Sequence, residues 1–193
     1  MRLRDLTNTP NLLTLLRMIF IPFIAMAVLE GEFRWALGLF VVAGISDGLD
    51  GLLARRWNQK TVLGQYLDPI ADKMLLSTIF LVLAMSGKVP WKFTIMVFSR
   101  DIGILIVSAV LYMTTPLRDF RPSFFGKANT LMQIIAVLVV MLDETTPGWN
   151  LALARSYILW CVFGLTLLSW LHYTLLVEQR LRVANGSGKA AAP

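Results

Sequence analysis

Between Asp47 and Asp72 the chain reads DGLDGLLARRWNQKTVLGQYLDPIAD, and this stretch decides the fold. It holds four acids, Asp47, Asp50, Asp68 and Asp72, between two almost purely apolar runs, ALGLFVVAGI before it and MLLSTIFLVLAM after it. Carboxylates at the margins of apolar helices are costly unless cations neutralise them. Asp47 and Asp50 lie three residues apart and Asp68 and Asp72 four apart, so on helices each pair shares a face. Gly48 and Gly51 keep the first helix thin enough for a backbone or ligand to approach. Two facing acid pairs make a cage of hard oxygens suited to Mg²⁺ or Mn²⁺. A structural ion-pair network with Arg55, Arg56 and Lys73 would not require so long a fixed spacing.

Outward from this stretch, the 193 residues are 56% hydrophobic, with a mean hydropathy of +0.66 and several apolar runs near 20 residues. That pattern predicts an all-α polytopic membrane protein, folded as a single domain over residues 1–193. The single Cys161 excludes an internal disulfide and reads as a packing or lipid-facing residue. The formal charge is +6, but the bases flank apolar segments and form no stripe with interleaved aromatics. Anionic lipid headgroups, not nucleic acid, are therefore the expected partners. No cleavable leader is expected, because the first apolar run is too long for a signal sequence and lacks a small-residue cleavage site.

Six transmembrane helices are predicted. Residues 1–10 form an interfacial segment, and the spans cover roughly 11–29, 33–53, 66–85, 91–112, 126–142 and 151–177. Pro22 should bend the first span, and Pro69 is tolerated near the start of the third. Glu30-Gly31-Glu32 and Ser86–Pro90 make tight turns, and residues 183–193 read as a disordered tail. With both termini in the cytosol, eleven bases (Arg2, Arg4, Arg55, Arg56, Lys60, Arg118, Arg121, Lys127, Arg180, Arg182 and Lys189) fall on the cytosolic side. Only Arg34, Lys88, Lys92 and Arg155 fall opposite, which satisfies the positive-inside rule. The acid cluster then lies at the cytosolic face.

Read with its gaps, the central stretch is Asp47-Gly48-x-Asp50-Gly51-x-x-Ala54-Arg55, eight residues, Gly64, three residues, Asp68, three residues, Asp72. It resembles the motif of the CDP-alcohol phosphatidyltransferases at every fixed position and gap. The resemblance implies a metal-dependent attack of an alcohol on the β-phosphorus of CDP-diacylglycerol, releasing CMP. It implies Asp47, Asp50, Asp68 and Asp72 as ligands to one or two Mg²⁺ or Mn²⁺ ions, with Asp72 also the candidate general base. It implies Gly48, Gly51, Ala54, Arg55 and Gly64 as the CDP site, and it implies a homodimer. The bacterial inner membrane is the expected location.

Outside the motif, Arg17 in PNLLTLLR, the pair Arg100-Asp101, the loop bases Arg118 and Arg121, and Lys127 are candidates for an acceptor site. Two acceptors suit a basic pocket: phosphatidylglycerol, giving cardiolipin, and glycerol 3-phosphate, giving phosphatidylglycerophosphate. Ser99-Arg100-Asp101, RPSF and GKANT resemble eukaryotic-type cardiolipin synthases, whereas ARRWNQ resembles bacterial phosphatidylglycerophosphate synthases. Ser108 stands where the latter enzymes resemble one another in carrying an arginine, and this favours phosphatidylglycerol. A cation transporter is the reading from a different class. It would place acids near the bilayer midplane and often repeat a half, and the two halves here do not echo each other.

Overall fold

A computed structural model describes the backbone over residues 9–56, 62–114 and 124–189, and side chains over 16–46, 71–107, 124–146, 148–175 and at 178. The described residues form six α-helices and no strand: α1 (Thr9–Leu29), α2 (Phe33–Arg56), α3 (Val62–Met85), α4 (Trp91–Thr114), α5 (Phe124–Thr145) and α6 (Ala152–Lys189). A 3₁₀ turn at Pro147–Trp149 joins the last two.

The predicted turns form for a definable reason. After α1, the Glu32 N–H donates to Ala27 O and the Gly31 N–H to Val28 O. After α3, the Lys88 N–H donates to Leu83 O and the Gly87 N–H to Ala84 O. Both are Schellman caps, which need a left-handed residue at the position held by Gly31 (φ 80°) and Gly87 (φ 71°).

Two helices start or stop elsewhere than expected. α3 begins at Val62, so Pro69 is its eighth residue and the Gln65 carbonyl loses its helical donor. α6 runs through Lys189 instead of giving way to a tail at 183, and takes in Asn185-Gly186-Ser187-Gly188, which composition alone does not read as helix. Its 38 residues span about 57 Å, well beyond a bilayer core of about 30 Å. The apolar stretches Phe124–Thr145 and Ala152–Leu175 are each long enough to cross a bilayer alone, and α1 and α2 contribute shorter apolar runs at Leu16–Leu29 and Phe33–Ser46.

In packing, α1 lies against both α2 and α3, while α5 contacts α2, α3 and α6, and α4 contacts α3 and α6. The core where they meet includes Ile24, Val28, Ala36, Ile79, Phe80, Leu83, Val137 and Met141. Large apolar side chains such as Phe23, Trp35, Ile95, Leu153 and Leu171 face outward. Outward apolar surface on this scale suits a hydrocarbon solvent, where no hydrophobic penalty attaches to it. Two of the predicted outer bases, Lys88 and Arg155, meet at one end of the bundle. Lys88 pairs with Glu144 at 2.6 Å, Arg155 pairs with Asp143 and Glu144 at 3.1 Å each, and Arg155 also donates to the Lys88 carbonyl. Lys88 lies over the Phe33 ring at 5.4 Å, so the turns after α1, α3 and α5 converge there.

Candidate functional site

Several charged side chains interrupt the apolar packing deep within the bundle. Arg17 of α1 is 2% exposed and donates through Nη1 to Asp72 Oδ1 of α3. The placement follows because α1 packs directly on α3 and a buried guanidinium persists only beside an acid. The Asp72 side chain keeps 43% of its surface exposed, so the pair is buried at one end and open at the other.

A second cluster adjoins it. Asp101 of α4 accepts from Lys73 Nζ at 2.6 Å and from Arg100 Nη1 at 2.7 Å. Arg100 also donates through Nε and Nη2 to Ser169 Oγ of α6, at 3.3 and 3.0 Å. Arg100 and Asp101 are 4% and 5% exposed, and every charge in the group has an opposite partner. The fit of α4 to α6 is close at this level: a Cβ built on Gly103 would lie 2.2 Å from Cη2 of Trp170, next to Ser169. The absence of a side chain at Gly103 thus lets α6 bring Ser169 to Arg100.

Asp72 borders two cavities of different character. One, of about 350 Å³, lies between α2, α3 and α5 and is lined by Arg17 and Asp72 at its polar end and by Phe40, Gly44, Leu76 and Leu138 elsewhere. The other, of about 150 Å³, is bounded by Asp72, Lys73, Leu76, Asp101, Thr130 and Gln133. A carboxylate therefore sits where an apolar groove meets a polar chamber.

Of the residues expected from sequence, Arg17, Asp72, Arg100 and Asp101 come together here. Lys127 lies exposed near the start of α5. Asp47, Gly48, Asp50, Gly51, Ala54 and Arg55 fall in α2 and Gly64 and Asp68 in α3, but their side chains lie outside the described residues, as do Arg118 and Arg121 altogether. Gly44, which lines the apolar groove, precedes Asp47 by three residues, so the acid motif begins one helical turn from that groove. Among the described side chains no three His, Cys, Asp or Glu converge as a metal set, and Asp72 is the one predicted ligand they include. Sequence reasoning missed Lys73, Thr130, Gln133 and Ser169. Their signal was present as polar residues at helical spacing inside apolar runs, with Lys73 directly after the motif.

A helical bundle with apolar outer walls and a paired-charge chamber at an acid motif defines a membrane-embedded class of protein. The chain belongs to the CDP-alcohol phosphatidyltransferase family, whose model matches residues 7–168. It is 36% identical over 176 residues to the cardiolipin synthase (CMP-forming) of Rattus norvegicus, covering 81% of this chain and 57% of that relative. Against the putative cardiolipin synthase of Mycobacterium tuberculosis (strain ATCC 25618 / H37Rv) the identity is 28% over 192 residues, covering 96% and 91%. The probable phosphatidylglycerophosphate synthase of the same strain is 31% identical over 196 residues, covering 97% and 88%.

Proposed function

We propose that the chain transfers the phosphatidyl group of CDP-diacylglycerol to phosphatidylglycerol, forming cardiolipin and CMP. The observation that carries this reading is the position of Asp72, bordering both the apolar groove and the polar chamber. A lipid donor and an alcohol acceptor must meet at one point, and a carboxylate there can take the hydroxyl proton. In the reaction, a glycerol hydroxyl oxygen bonds to the β-phosphorus while the bond from that phosphorus to the bridging oxygen breaks. CMP leaves with the electron pair, and the hydroxyl proton passes to the Asp72 carboxylate. Arg17, paired with Asp72, orients that carboxylate.

The donor set suits a hard divalent cation, because Asp72 supplies carboxylate oxygen and the three other motif acids are of the same type. Asp47, Asp50, Asp68 and Asp72 would hold one or two Mg²⁺ or Mn²⁺ ions, which when bound neutralise pyrophosphate charge. Gly48, Gly51, Ala54, Arg55 and Gly64 would take the CDP portion. Six spans with cytosolic termini and a homodimeric assembly in a bacterial inner membrane complete the reading. Arg17 and Asp72 lie 12 and 13 residues from the ends of α1 and α3, about 18–20 Å along their axes.

Transfer to glycerol 3-phosphate is the second reading, supported by the likeness to the mycobacterial protein named for that synthesis. Both readings share one catalytic test, which is CMP release from CDP-diacylglycerol by purified protein in liposomes. Chelation with EDTA should abolish release and added Mg²⁺ or Mn²⁺ should restore it. Undiminished release in EDTA would refute the metal-dependent mechanism.

A further inference from the structure

Gln133 of α5 is 1% exposed, and its Nε2 has no hydrogen-bond partner among the described residues. An unmatched buried amide donor costs about 1–3 kcal/mol, so one in a well-packed helix calls for an explanation. Asn129, one turn earlier, shows the contrast. Its Nδ2 is also unmatched, but its Oδ1 accepts from Thr166 at 3.1 Å, which ties that amide to α6, and it does not line the chamber. Gln133 lines the chamber that Asp72 borders.

The chamber has the size and charge of a particular ligand. A cavity of about 150 Å³ holds a molecule of about six heavy atoms, the size of a glycerol moiety. Among the described residues its charged walls are Asp72, Lys73 and Asp101, with Arg17 held by Asp72 and Arg100 beside Asp101. Lys73 and Arg100 are both engaged by Asp101. A phosphate dianion entering such a chamber would have to compete with these carboxylates for their cations. The chamber offers carboxylate acceptors for hydroxyl protons and one amide donor for a hydroxyl oxygen.

We infer that this chamber takes an uncharged glycerol end carrying free hydroxyls, and that Gln133 is an acceptor-binding residue that donates from Nε2 to one of those oxygens. This deepens the proposed function and rests on it, because a glycerol end without its own phosphate is the free end of phosphatidylglycerol. Gln133 would then raise affinity for the acceptor without touching the nucleotide lipid.

The test compares wild type with Gln133→Met, which keeps length and loses the donor, and with Gln133→Glu, which keeps shape and replaces the donor by an acceptor. CMP release is measured in liposomes with phosphatidylglycerol and CDP-diacylglycerol varied independently. Both variants should raise KM for phosphatidylglycerol about five- to tenfold, the loss of one neutral hydrogen bond, with KM for CDP-diacylglycerol unchanged. Equal shifts in both KM values, or no shift in either, would overturn the role of Gln133 while leaving the proposed reaction standing. If Gln133→Met does not fold, the isosteric Glu variant decides by the same criterion. Wild-type protein that releases no CMP with phosphatidylglycerol would overturn the reaction itself, and the inference with it.

Discussion

In the proposed reaction Asp72 takes the hydroxyl proton, and two substitutions separate that role from the part its partner plays. Asp72→Asn preserves shape but removes the proton acceptor, so kcat should fall by about 10²–10⁴ while KM for phosphatidylglycerol stays within a few fold. A kcat near wild type would show that another group takes the proton. Arg17→Ala leaves the carboxylate without the guanidinium that faces it. Because the acid is nearly half exposed, water compensates part of the loss, and the expected destabilisation is about 1–3 kcal/mol, read as a lowered melting temperature in detergent. An unchanged melting temperature would mean that the pair contributes nothing to folding. At this scale the sequence was legible where residue types were costly. Arginine and aspartate within apolar runs announced Arg17, Arg100 and Asp101, whereas Gln133 and Ser169, uncharged and single, carried no such cost and stayed hidden.

At the scale of elements, the helices and turns followed from apolar length and from glycine after a helix end, as the caps at Gly31 and Gly87 show. What periodicity did not reveal was which helices meet. The contact of α4 with α6 depends on shape at Gly103 and Trp170, and neither residue signals it alone. Gly103→Ala must displace the indole, which should cost about 1–3 kcal/mol and draw Ser169 away from Arg100. The expected readout is a lowered melting temperature that Trp170→Leu partly restores in the double variant. Additive losses would show that the two sites do not touch. The start of α3 at Val62 and the run of α6 to Lys189 also differ from the sequence reading, because apolar length marks the part of a helix that can be buried and not where its hydrogen bonding begins or ends.

For the whole molecule, the convergence of Lys88, Glu144, Asp143 and Arg155 gathers three turns at one end, opposite the ends from which the acid motif is reached. By the positive-inside rule that end is expected on the outer side. In a Cys161→Ser background, an impermeant maleimide should label Glu32→Cys in intact cells, and should label Lys127→Cys only after the membrane is opened. The reverse pattern would invert the topology and leave CDP-diacylglycerol and the metal on the wrong side of the site.

If the acceptor meeting Asp72 is a lipid glycerol, acceptor competition will show it. Purified protein in liposomes, given labelled CDP-diacylglycerol and Mg²⁺ or Mn²⁺, would receive phosphatidylglycerol and glycerol 3-phosphate together, and the lipid products would be separated. The label is expected in cardiolipin. Label appearing instead in phosphatidylglycerophosphate would contradict this, and would assign the chamber beside Asp72 to a phosphate-bearing acceptor despite the pairing of its cations.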